Sequence, residues 1–427
     1  MNIGPAMHNR QRAVGLLLSL ALVATITACS DDDSGSGDES GAGGNGEVAQ
    51  EAAKCPGDPI RLTTIAALSG PLATNADDVS VATDVTVRAI NEECQLGRPL
   101  EIVVCDDRGD PNGSTECGRT AAQDGSLALI GSVGVFDTGA EAAGLPSVYT
   151  IGAGTFDHTN PSSYPFTSIV PQLFGSITTA KSAGAESTML VTFESPATVF
   201  IADQGKALAE ELGLEWNVLF FPQDTTDFAP IAAQIVEADP DSLGFGVPQA
   251  EPFIQALLAE GWDLQDKPTL STSVLMPPRV IDALGDDGDG LYLMSSVVPP
   301  TETDNPGIKR MKQAFEDQGV DFDKASVTSV GAWTVANSLV DALAALSPQE
   351  IDQLDSAKLV EAVQAQGPVD SPEVAPFDLS KPAFPDNEAL SAFRLFSRHV
   401  MATRLEGGRL VPVSDFIDVE TPFELQD

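Results

Sequence analysis

Basic side chains are scarce in this chain: 427 residues hold 22 lysines and arginines against 63 aspartates and glutamates, a formal net charge of -41. A surface of that sign repels phosphate backbones and anionic headgroups, which argues against nucleic acid and an electrostatically bound membrane as partners. Histidine is nearly absent, represented by His8, His158 and His399. The last two show neither zinc-ligand spacing nor the context of a catalytic triad, so a surface role is expected for both, with the edge of a pocket as the alternative for His158. No GxSxG, Walker or HExxH motif occurs. Beyond the N-terminal segment no stretch approaches the roughly 18 consecutive apolar residues of a spanning helix. The five cysteines have no CxxC spacing and no nearby histidine, so neither thiol catalysis nor a metal site is expected of them. No cofactor and no enzymatic activity are expected.

What is present begins with an export pattern. His8, Arg10 and Arg12 charge the front, Val14 to Ile26 is apolar, and small Thr27 and Ala28 precede Cys29. Ile-Thr-Ala-Cys resembles the lipobox of bacterial lipoproteins; the resemblance implies a signal peptide over residues 1–28 and diacylation of the Cys29 sulfur. Several acyl chains hold an N-terminus to a membrane stably, which one does not. Residues 29–57 follow as a stalk rich in glycine, serine and acid, with little to bury.

With Cys29 assigned to lipid, Cys55, Cys94, Cys105 and Cys117 remain, and export permits disulfides. Cys55 precedes the first expected strand, and Cys94 ends a helix running antiparallel to it. Cys105 ends the second strand and Cys117 lies in the helical stretch just after. Of three alternative pairings, Cys55 with Cys94 and Cys105 with Cys117 is therefore expected.

From Ile60 onward, strand-like runs alternate with helical stretches, the pattern of an α/β domain with a parallel sheet. IRLTTIAAL reads as a strand and Asp77 to Cys94 as a helix carrying Val81, Val85 and Ile90 inward. LEIVVCDD is a second strand, a helix runs to about Asp124, and LALIGSVG (Leu127 to Gly134) is a third strand. SVYTIGA, STMLVTF, ATVFIAD, EWNVLFF, SLGFGVP and KPTLSTS are further strand-like pieces, with helices at Phe228 to Ala238 and Glu251 to Gly261. The length exceeds what one core usually serves, so two lobes are expected. No linker-like composition separates them, which suits a chain that passes between its lobes several times.

Several stretches resemble one family. IRLTTIAALSGPLA is similar to the opening strand and loop of the leucine/isoleucine/valine-binding family of periplasmic solute receptors. AINEECQLGRPLEIVVCDDRGDPNGSTECGRTAAQDGSLALIGSVG resembles its first helix, strand entry, Asp-Pro loop and Ile-Gly turn. FPQDTTDFAPIAAQIVEADPDSLGFG looks like a unit of its second lobe. DGLYLMSSVVPP and GAWTVANSLVDAL resemble the hinge and the returning first-lobe helix. The likeness runs from Ile60 to Leu343, carried by the order and spacing of these motifs. It implies the type I periplasmic-binding-protein fold: two doubly wound parallel-sheet lobes joined by three crossovers. The implied lobes are 58–180 with 302–390, and 181–301 with 391–427.

In such a fold ligands sit where loops leave the carboxyl ends of strands. Three first-lobe loops qualify: SGPLA with Ser69, GSVGVFDT with Ser132 and Phe136, and GAGTFDHT with Gly154 and Thr155. Each pairs glycine with a hydroxyl that can bond a ligand. Thr198, Val199, Gln249 and Ser273 are the second-lobe candidates. Amino-acid binders of the family hold the α-carboxylate with a serine and a threonine and the ammonium with a second-lobe acid. Thr155 matches that threonine, but Val135 falls at the serine position and STSVL around Thr272 to Val274 supplies no acid. These departures count against an amino acid.

Two motifs point elsewhere. FDTGA (Phe136 to Ala140) resembles half of an aspartic-protease site, where two carboxylates share a proton. Its only counterpart, Asp33-Ser34-Gly35, lies in the stalk, so catalysis by Asp137 is not expected. GDDGDG (Gly285 to Gly290) spaces carboxylates like a calcium loop, but Val297 and Val298 stand where the closing acid belongs, and a solvated turn is expected. The reading that results is a monomeric, membrane-anchored extracytoplasmic receptor that offers a small amino-acid-like, amide or carboxylate ligand to ABC permease subunits. The alternative is a sensor of the same fold feeding a signalling partner.

Overall fold

The computed structural model describes residues 55–70, 76–132, 136–387, 390–391 and 393–426. Cys29, nearly all of the stalk, most of the SGPLA loop and Val135 lie outside them. The first sheet grows from strict alternation: β1 (Ile60–Ala66), α1 (Ala76–Glu93), β2 (Leu100–Asp106), α2 (Pro111–Gln123), β3 (Leu129–Ile130), α3 (Thr138–Ala143), β4 (Ser147–Gly152), α4 (Thr155–Thr159) and β5 (Ser163–Ser168). The strands are parallel, in the order β2-β1-β3-β4-β5. All six residues of β4 and all six of β5 are buried, as strands covered on both faces require.

The second sheet repeats the scheme. It uses α5 (Ile169–Ser182), β6 (Ser187–Phe193), α6 (Pro196–Glu211), β7 (Glu215–Phe221), α7 (Ala229–Ala238), β8 (Ser242–Gly246), α8 (Ala250–Ala259), β9 (Thr269–Thr272), α9 (Pro278–Leu284) and β10 (Tyr292–Ser295). The chain then returns as α10 (Pro306–Asp317), α11 (Val327–Leu343), α12 (Pro348–Asp352) and α13 (Ser356–Ala365), of which α10 and α11 pack against α1 and α13 against α11. A short antiparallel pair, β11 (Pro368–Val369) and β12 (Phe377–Asp378), precedes β13 (His399–Glu406) and β14 (Arg409–Asp418). That last hairpin adds antiparallel strands beyond β10, giving β14-β13-β10-β9-β8-β6-β7. In each sheet the second strand of the lobe lies outside the first, so winding reverses between β1 and β3 and between β6 and β8.

The chain thus passes three times between the lobes: at Ser168, after β10, and after β12. The first passage comes before residue 180, since α5 packs against β9, β10 and β13 of the second sheet. The passages are bonded to one another. Val298 N–H donates to the Glu373 carbonyl (2.9 Å), Ala375 N–H to the Ser296 carbonyl (2.8 Å), and the Thr167 and Ser296 hydroxyls pair. Glu373 is buried among these strands, its carboxylate accepting from Ser371 Oγ at 2.6 Å.

Cys55 is joined to Cys94 and Cys105 to Cys117, the pairing expected from the sequence. Three expectations are corrected. ATVFIAD is not a strand but part of α6: Ser195 Oγ accepts Thr198 N–H (3.1 Å), Pro196 opens the first turn, and this local capping outweighs the β-branched residues. Val81 points outward at 42% exposure while Val79 and Ala82 join Val85 and Ile90 in the core, because the buried stripe of α1 is rotated from the one expected. The third strand covers only Leu129–Ile130.

Candidate functional site

The carboxyl ends of both sheets open onto one cavity of about 850 Å3. From the first lobe come Ala66 at the end of β1, Phe136 and Asp137 before α3, and Ile151, Ala153, Gly154 and Thr155 where β4 passes into α4. The second lobe contributes the ends of β6, β7, β8 and β9, with Ile169, Gln172 and Leu173 of α5. Parallel strands expose their carboxyl-end loops on the same side, so side chains from distant parts of the sequence converge there. Most of the wall is apolar, including Phe193, Phe221, Phe245 and Leu173. Set into it are neutral hydrogen-bonding groups: Gln172, Gln249, Thr192, Thr198, Ser271 and Thr272. No lysine, arginine or histidine lines the cavity among the described residues.

The first-lobe rim is organised by carboxylates of the chain itself. Asp137 reaches α4, where Oδ2 accepts Thr155 N–H (3.1 Å) and Oδ1 accepts Phe156 N–H (2.9 Å). Asp157 Oδ2 accepts the preceding two amides, Ala153 at 3.1 Å and Gly154 at 3.4 Å. Four successive N–H groups are therefore satisfied internally. Glycine at 154 is what permits this approach: a Cβ there would lie 2.0 Å from Asp137 Oδ1. Burial raises the Asp157 pKa to about 6, against its two backbone hydrogen bonds, and the Asp137 charge adds to the rise. Thr328, also on the wall, donates to Asp78 Oδ2 at 3.0 Å. Burial raises the Asp78 pKa, although hydrogen bonds from Ser326 and Thr328 oppose the shift.

A family model for periplasmic binding proteins matches residues 59–396. The chain belongs to the periplasmic binding protein family. No curated protein sequence matches it significantly. Among solved structures, an ABC transporter substrate-binding protein from Aeropyrum pernix aligns at 18% identity over 84% of this chain and 96% of that one, with a TM-score of 0.71. A solute-binding protein of an R. palustris ABC transporter, in complex with benzoate, aligns at 19% identity over 87% and 98%, TM-score 0.66. A fatty acid ABC transporter substrate-binding protein from Thermomonospora curvata aligns at 18% over 86% and 95%, TM-score 0.67. At these identities the likeness is one of fold.

Within this periplasmic binding protein, Phe136, Gly154, Thr155, Thr198 and Gln249 line the cavity. Thr198 also serves the capping turn of α6, its Oγ1 donating to the Phe193 carbonyl at 2.6 Å. Ser69, Ser132, Val199 and Ser273 are not among the lining residues. Ser69 Oγ is turned to Asp106 Oδ2 (2.6 Å), and Ser132 Oγ accepts Ile65 N–H at 3.0 Å. Ser273 is buried in a turn whose neighbours, Thr272 and Val274, face the cavity instead. Asp137, considered in the sequence only as half of a protease pair, is a backbone acceptor. GDDGDG forms a turn in which Asp289 Oδ1 accepts Gly407 N–H at 2.7 Å, and no metal-holding cluster of acids, histidines or cysteines occurs among the described residues.

His158 corrects the expectation of a surface position. It is 5% exposed, its Nε2 lies 2.7 Å from Ser168 Oγ, and burial lowers its pKa to about 4. It supports the floor of α4 at the first passage between lobes. Gln172 and the aromatic wall were missed by sequence reasoning. Gln172, buried and hydrogen-bonded to Thr272 Oγ1, is the one polar residue in the VPQLFG stretch, which is a signal that could have found it. The phenylalanines carry no such signal, because core and cavity wall call for the same residue type.

Proposed function

We propose that this chain is the extracytoplasmic solute receptor of an ABC-type importer, held to the membrane through Cys29 and closing its lobes around a small molecule with an apolar body. The observation that carries the reading is the cavity itself, about 850 Å3 in volume, with walls from the carboxyl ends of both sheets. A ligand there touches both lobes only when they approach, so binding favours the closed arrangement and no covalent chemistry is needed. The three passages between lobes form the natural hinge. The export-like segment, the lipobox-like Ile-Thr-Ala-Cys and the stalk support anchoring. The apolar wall suits a hydrocarbon body of the kind carried by the benzoate and fatty acid that the two transporter proteins named above bind or are named for, whatever polar group this chain's own ligand bears.

The test is a screen of aromatic and aliphatic acids, amides, amines and amino acids against the purified protein, read by melting and small-angle scattering. A true ligand at about 100 times its Kd stabilises the folded state by roughly 2.7 kcal/mol. It should also reduce the radius of gyration. If a broad screen moved neither quantity, the receptor reading would be wrong. Anchoring is tested separately: Cys29→Ala should release the protein from the membrane fraction.

A further inference from the structure

Resting on the receptor reading, we propose that the cavity selects ligands without a negative charge: a mainly apolar molecule bearing neutral or cationic polar groups, with carboxylates rejected. Three independent observations converge on this. The first is the absence of any cationic side chain among the described lining residues. The segments outside the description nearest in sequence, 71–75 and 133–135, read PLATN and VGV and contain none either. A carboxylate enclosed by lobe closure would therefore meet no counter-charge, and an unpaired buried charge is strongly disfavoured.

Second, the backbone donors best suited to an anion are taken. The amides of residues 153–156 all donate to Asp157 or Asp137. Asp137 places a carboxylate where a ligand's own would have to sit. Gly154 lets it come within a distance that any side chain at that position would block. Displacing it would break two hydrogen bonds and leave two anions at one rim.

Third, carboxylates stand at or just behind the wall elsewhere. Asp224 lies at the β7 end, exposed, and Asp78 stands behind Thr328. Their field disfavours an incoming anion and favours a neutral or cationic one. The other polar groups of the wall are neutral: the Thr192 and Ser271 hydroxyls donate to the Gly246 and Phe245 carbonyls (3.1 and 2.9 Å) and so offer a ligand only lone pairs, while the Gln172 and Gln249 amides suit hydroxyl, carbonyl or amide groups.

The experiment uses charge-matched sets on one carbon skeleton: benzamide, benzoate and benzylamine, and octanamide, octanoate and octylamine. Binding is measured by calorimetry at neutral pH, with scattering on each mixture. The amide or amine of at least one set should bind at least about tenfold more tightly than its carboxylate, since only the anion is enclosed uncompensated. Equal or tighter binding of the carboxylates would overturn the ligand class and leave the receptor reading standing. Silence from every member, in both calorimetry and scattering, would count against the receptor reading and take this proposal with it. Asp137→Asn adds a second readout, because it removes the negative charge and keeps an acceptor for one amide. The preference over carboxylate should shrink by about tenfold in this variant, as the repelling charge is gone. An unchanged preference in a variant with native melting would overturn the part assigned to Asp137.

Discussion

Asp157 and His158, adjacent in sequence and both buried under α4, respond to pH in opposite senses. Burial raises the Asp157 pKa to about 6, so the folded state binds its proton more readily than the unfolded chain does, and the stability it lends is lost as pH rises towards 6. Burial lowers the His158 pKa to about 4, so its contribution is present above the ordinary histidine value and is lost as pH falls towards 4. Between these limits the two largely offset. His158→Gln should therefore gain stability relative to the parent as pH falls from 6 to 4, and Asp157→Asn should lose it, both measured by urea unfolding across that range. A parallel pH dependence in parent and both variants would show that neither group titrates as its burial implies. At Gly154, an added methyl would collide with the Asp137 carboxylate. Gly154→Ala should cost about 1–3 kcal/mol in urea unfolding, the range for forced overpacking.

Secondary elements show where the sequence was readable and where it was not. The alternation of β1, β4 and β6 with helices was legible, because a parallel strand buried on both faces is a short apolar run bounded by turn residues. The resemblance implied that GAWTVANSLVDAL is a helix returning to the first lobe, and α11 packs there against α1. The element misread, α6, has Thr198, Val199 and Ile201 in its first turns; its helical state comes from the Ser195 cap, a signal easily outweighed by β-branched composition. The site was legible at loop level and less so residue by residue: a hydroxyl beside a glycine says nothing about whether it faces the cavity, as Thr155 does, or its own backbone, as Ser132 does. One disulfide closes each of the first two βα units. Cys55–Cys94 closes 39 residues of separation and Cys105–Cys117 closes 12, so the former constrains the unfolded chain more. Replacing each pair by serines should cost about 4 and about 3 kcal/mol respectively on the chain-entropy account, read by denaturant unfolding. The reverse ranking would mean that native-state packing dominates.

At the scale of the molecule, acids so outnumber bases, 63 to 22 over the whole chain, that the folded body works against its own repulsion. Raising ionic strength from about 0.01 to about 1 M shortens the Debye length from roughly 30 to 3 Å and should raise the melting temperature, measured by calorimetry with a salt that does not bind specifically. A melting temperature independent of salt would mean the charges are already neutralised pairwise. The exposed ion pairs, such as Arg88 with Asp84 on one turn of α1, are too few to do so. The late addition of β13 also has a consequence for synthesis. Until His399 and the residues after it emerge from the ribosome, β10 presents a bare hydrogen-bonding edge, separated from its partner by the whole return through the other lobe. A nascent chain in that condition can add strands from a neighbour, so the protein's vulnerable period during synthesis is set by how quickly its last hairpin arrives.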